Sequence, residues 1–290
     1  MTIWDGISEF VAVVDAGSFS AAAKRLDVSI SHVSRHVAKL EVRLGVRLLT
    51  RTTRSVRLTD AGDKYYRRCK NLTEELAEAN QILMGQTAEI GGRIRVSAAG
   101  AFAECYVAPA LADFAKQHPK IIIEMNFNSR RVNLIDEGFD FAIRYGVMED
   151  SSLIARKLTN RRLIACASPD YLKKRGRPMA PEELKDHSCL RSNSVRWRFR
   201  YPDDYRFIRV AGVWSSNNGV ALVAAAVRGL GIIYLPHVNL SNELESGLLI
   251  PVLEDYCDDD LASWVVYPNQ RYLPLRVERA IDFLVEKFHN

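Results

Sequence analysis

Gly17-Ser-Phe-Ser-Ala-Ala-Ala-Lys-Arg-Leu-Asp-Val-Ser-Ile-Ser-His-Val-Ser-Arg-His-Val-Ala-Lys-Leu-Glu-Val-Arg-Leu44 reads as two short helices joined by a tight turn. The Ser18 hydroxyl suits the cap of the first helix, and Ala21, Ala22, Ala23 and Leu26 give it a small face that a second helix can approach closely. Asp27-Val28-Ser29 interrupts the pattern, and Ser29 or Ser31 caps the next helix. That second helix carries Val33, Val37, Leu40 and Leu44 as one inward stripe. Its other face shows Ser31, His32, Ser34, Arg35, His36 and Lys39. Small donors and acceptors at a helix tip, with phosphate-seeking cations behind them, suit the DNA major groove. The plainer alternative is a helical hairpin with a solvated polar face.

The next residues favour DNA. Val46 to Leu58 places two short apolar segments around Arg51-Thr52-Thr53-Arg54, a β-hairpin wing with a basic tip suited to the sugar-phosphate backbone or the minor groove. From Lys24 to Arg57 there are nine Lys/Arg against Asp27 and Glu41, a local balance of +7, whereas the whole chain is only +5. Basicity concentrated in one small module marks a nucleic-acid surface.

Phe19-Ser-Ala-Ala-Ala-Lys-Arg-Leu-Asp-Val-Ser, Val33 through Arg51, and Val56-Arg-Leu-Thr-Asp-Ala-Gly together resemble the winged helix-turn-helix of LysR-type transcriptional regulators. The resemblance implies a DNA-contacting set of Ser18, Ser29, Ser31, His32, Ser34, Arg35, His36 and Lys39, with Arg51, Thr52, Thr53 and Arg54 from the wing. Ser31, His32, Ser34 and Arg35 are expected to face bases. The segment Ile30-Ser31-His32 departs from the Gln-Pro-Ala or Gln-Ser-Ala of many members, so the operator sequence does not carry over.

At 290 residues and 48% hydrophobic, the chain suffices for two or three domains. It has no apolar run of membrane-spanning length and no signal-peptide pattern, so a cytoplasmic location is expected. Cys69, Cys105, Cys166, Cys189 and Cys257 are scattered without a Cys-x-x-Cys pair and read as packing residues rather than a disulfide framework. No nucleophile elbow, P-loop or dinucleotide fingerprint is present, so an enzyme is not expected. No cofactor is expected either. His32 and His36 have the i, i+4 spacing of metal ligands, but the sequence offers no evident third, and no metal site is assigned.

Ile3 to Ala16 reads as the first helix, with Ile7, Phe10, Val11 and Val14 on one side. Asp60 to about Thr87 forms a long helix whose Gly62, Tyr65, Cys69, Leu72, Leu76, Ala79 and Leu83 fall at alternating spacings of three and four. That is a coiled-coil seam needing a second chain to cover it. Gly91-Gly92 is a hinge, and strands then alternate with helices, which argues for a mainly parallel α/β sheet. The expected strands include Arg93 to Ala98, Ile121 to Phe127, Phe139 to Tyr145, Arg162 to Ser168, Ile208 to Val213 and Gly231 to Pro236. The main expected helices are Tyr106 to His118, Val132 to Glu137, Gly219 to Arg228 and Arg276 to Phe288. The domains are therefore drawn as 1–59 for the winged helix-turn-helix, 60–90 for the dimerisation helix and 91–290 for an effector domain.

This matches the two-lobed, periplasmic-binding-protein-like effector domain that the family resemblance implies. Lobe I would be about 93–161 and 267–290, lobe II about 162–266, with crossings near Leu158–Arg162 and Ser263–Pro268 placed by the resemblance. Glu137 through Gly146, Asp150 through Leu158 and Arg162 through Leu172 resemble one large proteobacterial subgroup. Ser129 and Asn133 stand where that subgroup usually carries acids. Ligands of open α/β sheets bind beyond the carboxyl ends of strands and near helix N-termini. The expected effector-binding set is thus Ser97, Ala99, Gly100, Ala101, Phe102, Asn128, Ser129, Arg144, Tyr145, Asn217, Asn218 and Tyr234. Arg130, Arg131 and Arg144 suggest a small anion, with Phe102 and Tyr145 holding an apolar or aromatic body. Arg144 could alternatively pair with Asp140 or Glu137 to hold the lobe together. The resemblance implies a dimer or tetramer on double-stranded DNA, acting on RNA polymerase, under a small-molecule effector. Alternatives are an effector-independent regulator sensing pH, redox or a partner, or a solute-binding protein.

Overall fold

The computed structural model describes residues 3–51, 56–83, 90–128, 130, 132–146, 153–192, 194–269 and 273–288. The wing-tip residues Thr52, Thr53 and Arg54, together with Ser129 and Arg131, lie outside the described residues. The chain divides into two compact units, Met1–Gly92 with Ile135–Gly138, and Arg93–Leu134 with Phe139–Asn290.

The first unit contains α1 (Ile7–Ala16), α2 (Phe19–Leu26), α3 (Ile30–Leu44), β1 (Leu49–Arg51), β2 (Val56–Leu58) and α4 (Asp60–Leu83). The first helix starts at Ile7 rather than Ile3 because Gly6 takes a left-handed φ of 86°. The glycine is also required by space, since a Cβ there would lie 2.5 Å from the His36 carbonyl oxygen. Ser18 caps α2 by accepting from Ala21 N, and Asp27 ends it at φ 55°. Ser29, not Ser31, caps α3 by accepting from His32 N. Phe10, Val13, Val33, Val37 and Leu40 are fully buried between the helices. Leu44 is exposed, so the inward stripe ends one turn earlier than its spacing suggests. The strands β1 and β2 pair antiparallel as a wing. The Glu41 carboxylate anchors its first strand by accepting from Leu48 N and Leu49 N at 2.8 and 3.0 Å.

The seam of α4 divides in two. Gly62 lies against the Leu48 backbone. Tyr65 packs on Phe10 at 5.8 Å between ring centroids, and Cys69 is buried in the same core. This first stretch is covered by its own unit, contrary to the reading of the whole seam as needing a second chain. A three-four apolar spacing is the same whether the covering surface is intramolecular or not. Leu72 and Leu76, further along, are exposed.

The second unit opens with β3 (Gly92–Ala98), α5 (Gly100–Phe102), a wide turn at Ala103–Val107 and α6 (Ala108–Gln117). The helical run therefore begins at Gly100, directly after the strand, not at Tyr106. Next along the chain come β4 (Ile121–Phe127), α7 (Leu134–Glu137, which from Ile135 belongs to the first unit), β5 (Phe141–Tyr145), β6 (Leu153–Arg161), β7 (Leu163–Ala167) and α8 (Pro169–Arg175). The chain continues through β8 (Arg196–Arg200), β9 (Tyr205–Arg209), α9 (Gly219–Val227), β10 (Ile233–Pro236), α10 (Ser241–Glu245), β11 (Ile250–Val252), β12 (Leu261–Pro268) and α11 (Leu275–Phe288).

One five-stranded sheet has the order β4-β3-β5-β12-β6, and one three-stranded sheet the order β10-β7-β11. The expectation of mainly parallel strands does not hold. β3 and β5 are parallel, but β12 runs antiparallel to both β5 and β6, and β7 antiparallel to both β10 and β11. The two passes between the sheets, β6 outward and β12 on the return, run in opposite directions and pair with each other. The whole of β6 goes beyond the short crossing placed near Leu158–Arg162.

Candidate functional site

The helix α3 presents Ser31, Arg35 and Lys39 to solvent. Arg35 Nε donates to Ser31 O at 3.2 Å, so its guanidinium lies along the first turns of the helix. The Ser18 and Ser29 hydroxyls accept from backbone N–H groups as caps, which leaves each only its own proton to offer a phosphate. Ser34 is half-buried. His32, also expected to face bases, turns its ring toward α1. His32 Nε2 lies 3.2 Å from Glu9 Oε1 on α1, and its ring stacks on His36 at 3.9 Å. His36 Nδ1 donates to His32 O at 2.9 Å. Both imidazoles are thus tied into the α1–α3 junction. Glu9 is the third group that His32 and His36 lacked in the sequence, and it stands 23 residues before the first of them.

A cavity of about 760 Å³ opens in the second unit, walled by residues of both sheets and their loops. From the expected set, Ala99, Gly100, Ala101, Phe102, Arg144, Tyr145, Asn217, Asn218 and Tyr234 line it. Ser97 and Asn128 do not. Ser97 is fully buried, and its Oγ accepts from Arg144 Nη2 at 2.9 Å. Asn128 Nδ2 donates to Asn126 Oδ1. Arg144 is thus held by the Ser97 hydroxyl and by the carbonyls of Ser97 and Ile143 at 3.4 and 2.9 Å. Tyr234 offers only its ring, because its hydroxyl donates to Arg198 O at 3.0 Å and accepts from Asp258 N at 2.7 Å. Burial pushes that phenol's pKa strongly upward.

At the mouth of α9 the Asn218 side chain accepts from Ala221 N, and Ser216 Oγ accepts from Asn218 N. The Gly219 and Val220 N–H groups, both at the cavity wall, are left at the positive end of the helix without an intrahelical acceptor. Opposite, Phe102 packs against Tyr106 and Phe288 with centroids 5.7 and 5.2 Å apart. The Arg161 guanidinium sits 4.1 Å above the Tyr145 ring. Burial lowers its pKa, partly opposed by Tyr145 and Asp258.

Residues 4–63 match the bacterial regulatory helix-turn-helix protein, lysR family, and residues 87–289 match the LysR substrate binding domain. The chain belongs to the LysR family. It is a DNA-binding transcriptional regulator of the LysR type, with a winged helix-turn-helix followed by a two-lobed effector domain. It is 38% identical over 94% of its length to an uncharacterized HTH-type transcriptional regulator of Haemophilus influenzae, covering 96% of that protein. It is 34% identical over 98% of its length to the HTH-type transcriptional regulator CrgA of Neisseria meningitidis serogroup B, again covering 96%. The full-length structure of AphB, a virulence activator of Vibrio cholerae, matches 99% of this chain and 100% of its own with a TM-score of 0.62 at 29% identity. Among the described residues no helix is long and apolar enough to cross a membrane.

Sequence reasoning missed several cavity groups of this LysR-type regulator. Arg161, Arg162 and Arg196 line the cavity beside Thr159, Asn160 and Asn239. Their only advance signal was position, since Arg161 and Arg162 fall in a crossing and crossings flank the cleft in a two-lobed fold. Arg130, expected to add charge there, is not part of the wall.

Proposed function

We propose that this regulator binds its operator as a dimer through α3 and the wing, and that a small anion with an aromatic or apolar body fills the cavity and sets its activity. The observation that carries the effector reading is the charge of the wall. Arg144, Arg161, Arg162 and Arg196 line it, and among the described residues Glu104 is its one carboxylate. The α9 N-terminus adds two backbone donors. Phe102, Tyr145 and Trp197 supply the apolar surface. A volume of about 760 Å³ is in the range that holds a small molecule.

Ser31, Ser34, Arg35 and Lys39 contact the operator, Arg35 at base edges and Lys39 at phosphate. Arg51, Thr52, Thr53 and Arg54 take the backbone or minor groove. The exposed Leu72 and Leu76 of α4 meet their counterparts in a second copy, which places two recognition helices on half-sites one DNA turn or a multiple apart. Pairs of dimers then form a tetramer. Closure of the lobes on an effector rearranges the dimers on DNA and alters access by RNA polymerase in the cytoplasm. The motifs from Glu137 to Leu172 assign the chain to the large proteobacterial subgroup.

A thermal-shift screen against small carboxylates, phenols and amino acids tests the effector. At a hundred times Kd a ligand of the native state stabilises it by about 2.7 kcal/mol. The expected hit is an aromatic or aliphatic carboxylate whose shift disappears in Arg161→Ala and shrinks in Arg144→Ala. Hits confined to uncharged or cationic compounds would contradict the anion reading.

A further inference from the structure

The crossing of α1 and α3 brings together Glu9 and two histidines, His32 and His36, that were expected at the DNA and instead meet one another beneath it. His32 Nε2 is 3.2 Å from Glu9 Oε1, and the His32 and His36 rings stack at 3.9 Å with an interplanar angle of 23°. One ligand atom from each of Glu9, His32 and His36 lies within 4.8 Å of the others. All three residues are half-buried, so they are neither core packing nor freely solvated surface. Gly6 sets the approach, because it alone lets the start of α1 reach the His36 carbonyl.

The hydrogen bond of His36 decides its chemistry. Its Nδ1 lies 2.9 Å from His32 O, and a carbonyl can only accept. The proton is therefore on Nδ1, and neutral His36 holds its lone pair on Nε2. That is the arrangement in which ligating histidines are oriented, with one ring nitrogen donating to a backbone carbonyl and the other bare. His32, four residues earlier, has its Nε2 turned to the carboxylate; that nitrogen donates to Glu9 in the ion-free state, so an ion binding there displaces the proton and takes both groups as ligands. Two imidazoles and one carboxylate suit borderline first-row ions rather than magnesium or calcium.

We infer that Glu9, His32 and His36 form a site for one divalent ion of the zinc class, bound through two Nε2 atoms and one carboxylate oxygen with the fourth position open to water. Donors at about 2.0–2.2 Å from a tetrahedral ion stand about 3.4 Å apart. The His32–Glu9 pair already stands at 3.2 Å, so the adjustment on binding falls on His36. A bound ion cross-links α1 to α3 and stabilises the DNA-binding unit.

The test uses the full-length, tag-free protein, stripped with chelator and titrated with Co²⁺, then competed with Zn²⁺. The expected result is one equivalent per chain, with the visible d–d bands of a tetrahedral nitrogen and oxygen site, and a thermal transition raised by Zn²⁺. Glu9→Gln and His36→Ala should each weaken Co²⁺ binding on the order of tenfold or more. Should His36→Ala fail to fold, Glu9→Gln keeps the side-chain shape and answers alone, with circular dichroism confirming its helices. No binding, a cobalt–thiolate charge-transfer band that puts the ion on a cysteine, or wild-type affinity in Glu9→Gln would overturn the assignment.

Discussion

Gly62→Ala sets two effects of known sign against each other. In an ordinary helix interior the change favours the helix by about 1 kcal/mol. Here a Cβ would fall 1.9 Å from Leu48 O, 2.8 Å from its carbonyl carbon and 3.1 Å from its Cα. All three are backbone atoms, and the Leu48 peptide groups are pinned. Leu48 N donates to Glu41 Oε1, and Leu48 O accepts from Thr59 N at 3.0 Å and Thr59 Oγ1 at 3.2 Å. Overpacking costs about 1–3 kcal/mol, and displacing Leu48 sacrifices hydrogen bonds worth about 1 kcal/mol each. The net result is a loss of about 2 kcal/mol or more, with the wing strand pushed off α4. On a unit of this size that lowers its thermal transition by roughly 8–16 °C. Differential scanning calorimetry of the full chain, with the DNA-binding unit assigned by its response to operator DNA, measures it. Gly45→Ala is the control, because Gly45 sits at φ 67° with nothing within 4 Å and carries only the backbone cost of about 1–2 kcal/mol. A Gly62→Ala protein as stable as the wild type would refute the packing argument.

Individual contacts elsewhere carry three more expectations. Ser29→Ala removes the acceptor of His32 N and should lower stability by about 1 kcal/mol in urea unfolding, with the denaturant slope unchanged. Asp258, fully buried and paired with Arg198 at 2.5 Å, leaves a half-buried guanidinium without its carboxylate when changed to Ala, at a cost of about 3–5 kcal/mol readable as a lower unfolding midpoint. Burial alone would raise the pKa of Asp15, but hydrogen bonds from Lys70 and Tyr66 outweigh it and hold the carboxyl below its ordinary 3.8. The stabilisation from Asp15 is therefore complete above pH 3.8 and lost as the pH falls through the depressed folded value. In Asp15→Asn the acid limb of the stability–pH profile should be shallower, and an unchanged profile would remove Asp15 from the account.

What the sequence made legible is what local chemistry determines. The helix α3 was readable from the stripe Val33, Val37 and Leu40 and from the capping serine, and the wing from two apolar runs around a basic turn. The cavity was half legible. Gly100, Phe102, Arg144, Tyr145 and Asn218 follow strand ends or open helices, and the alternation of elements locates those. Arg161 and Arg162 reach the cavity at the end of β6, which pairs antiparallel with β12, and Arg196 reaches it at the start of the β8–β9 hairpin. Leu153–Arg161 hides that strand, since an outer strand with mostly half-buried residues has no clean two-residue alternation. Ser97 was misplaced for the opposite reason. It lies just inside the strand end, where the pleat turns its hydroxyl to Arg144 and the interior. Glu9 was invisible as a partner of His32 because nothing in a helical pattern says which residue of a crossing helix it meets.

Arg35→Ala tests most directly whether α3 reads the operator. The operator is first selected from a random duplex pool with the wild-type protein. The affinities of wild type and variant for it are then measured by fluorescence anisotropy at fixed salt. A base-reading arginine contributes about 1–3 kcal/mol. A dimer loses that contact in both half-sites, so the variant should bind about 30-fold more weakly or worse, with relaxed preference at one position of each half-site and the melting of the effector unit unaltered. Unchanged affinity and unchanged sequence preference in Arg35→Ala would contradict the account.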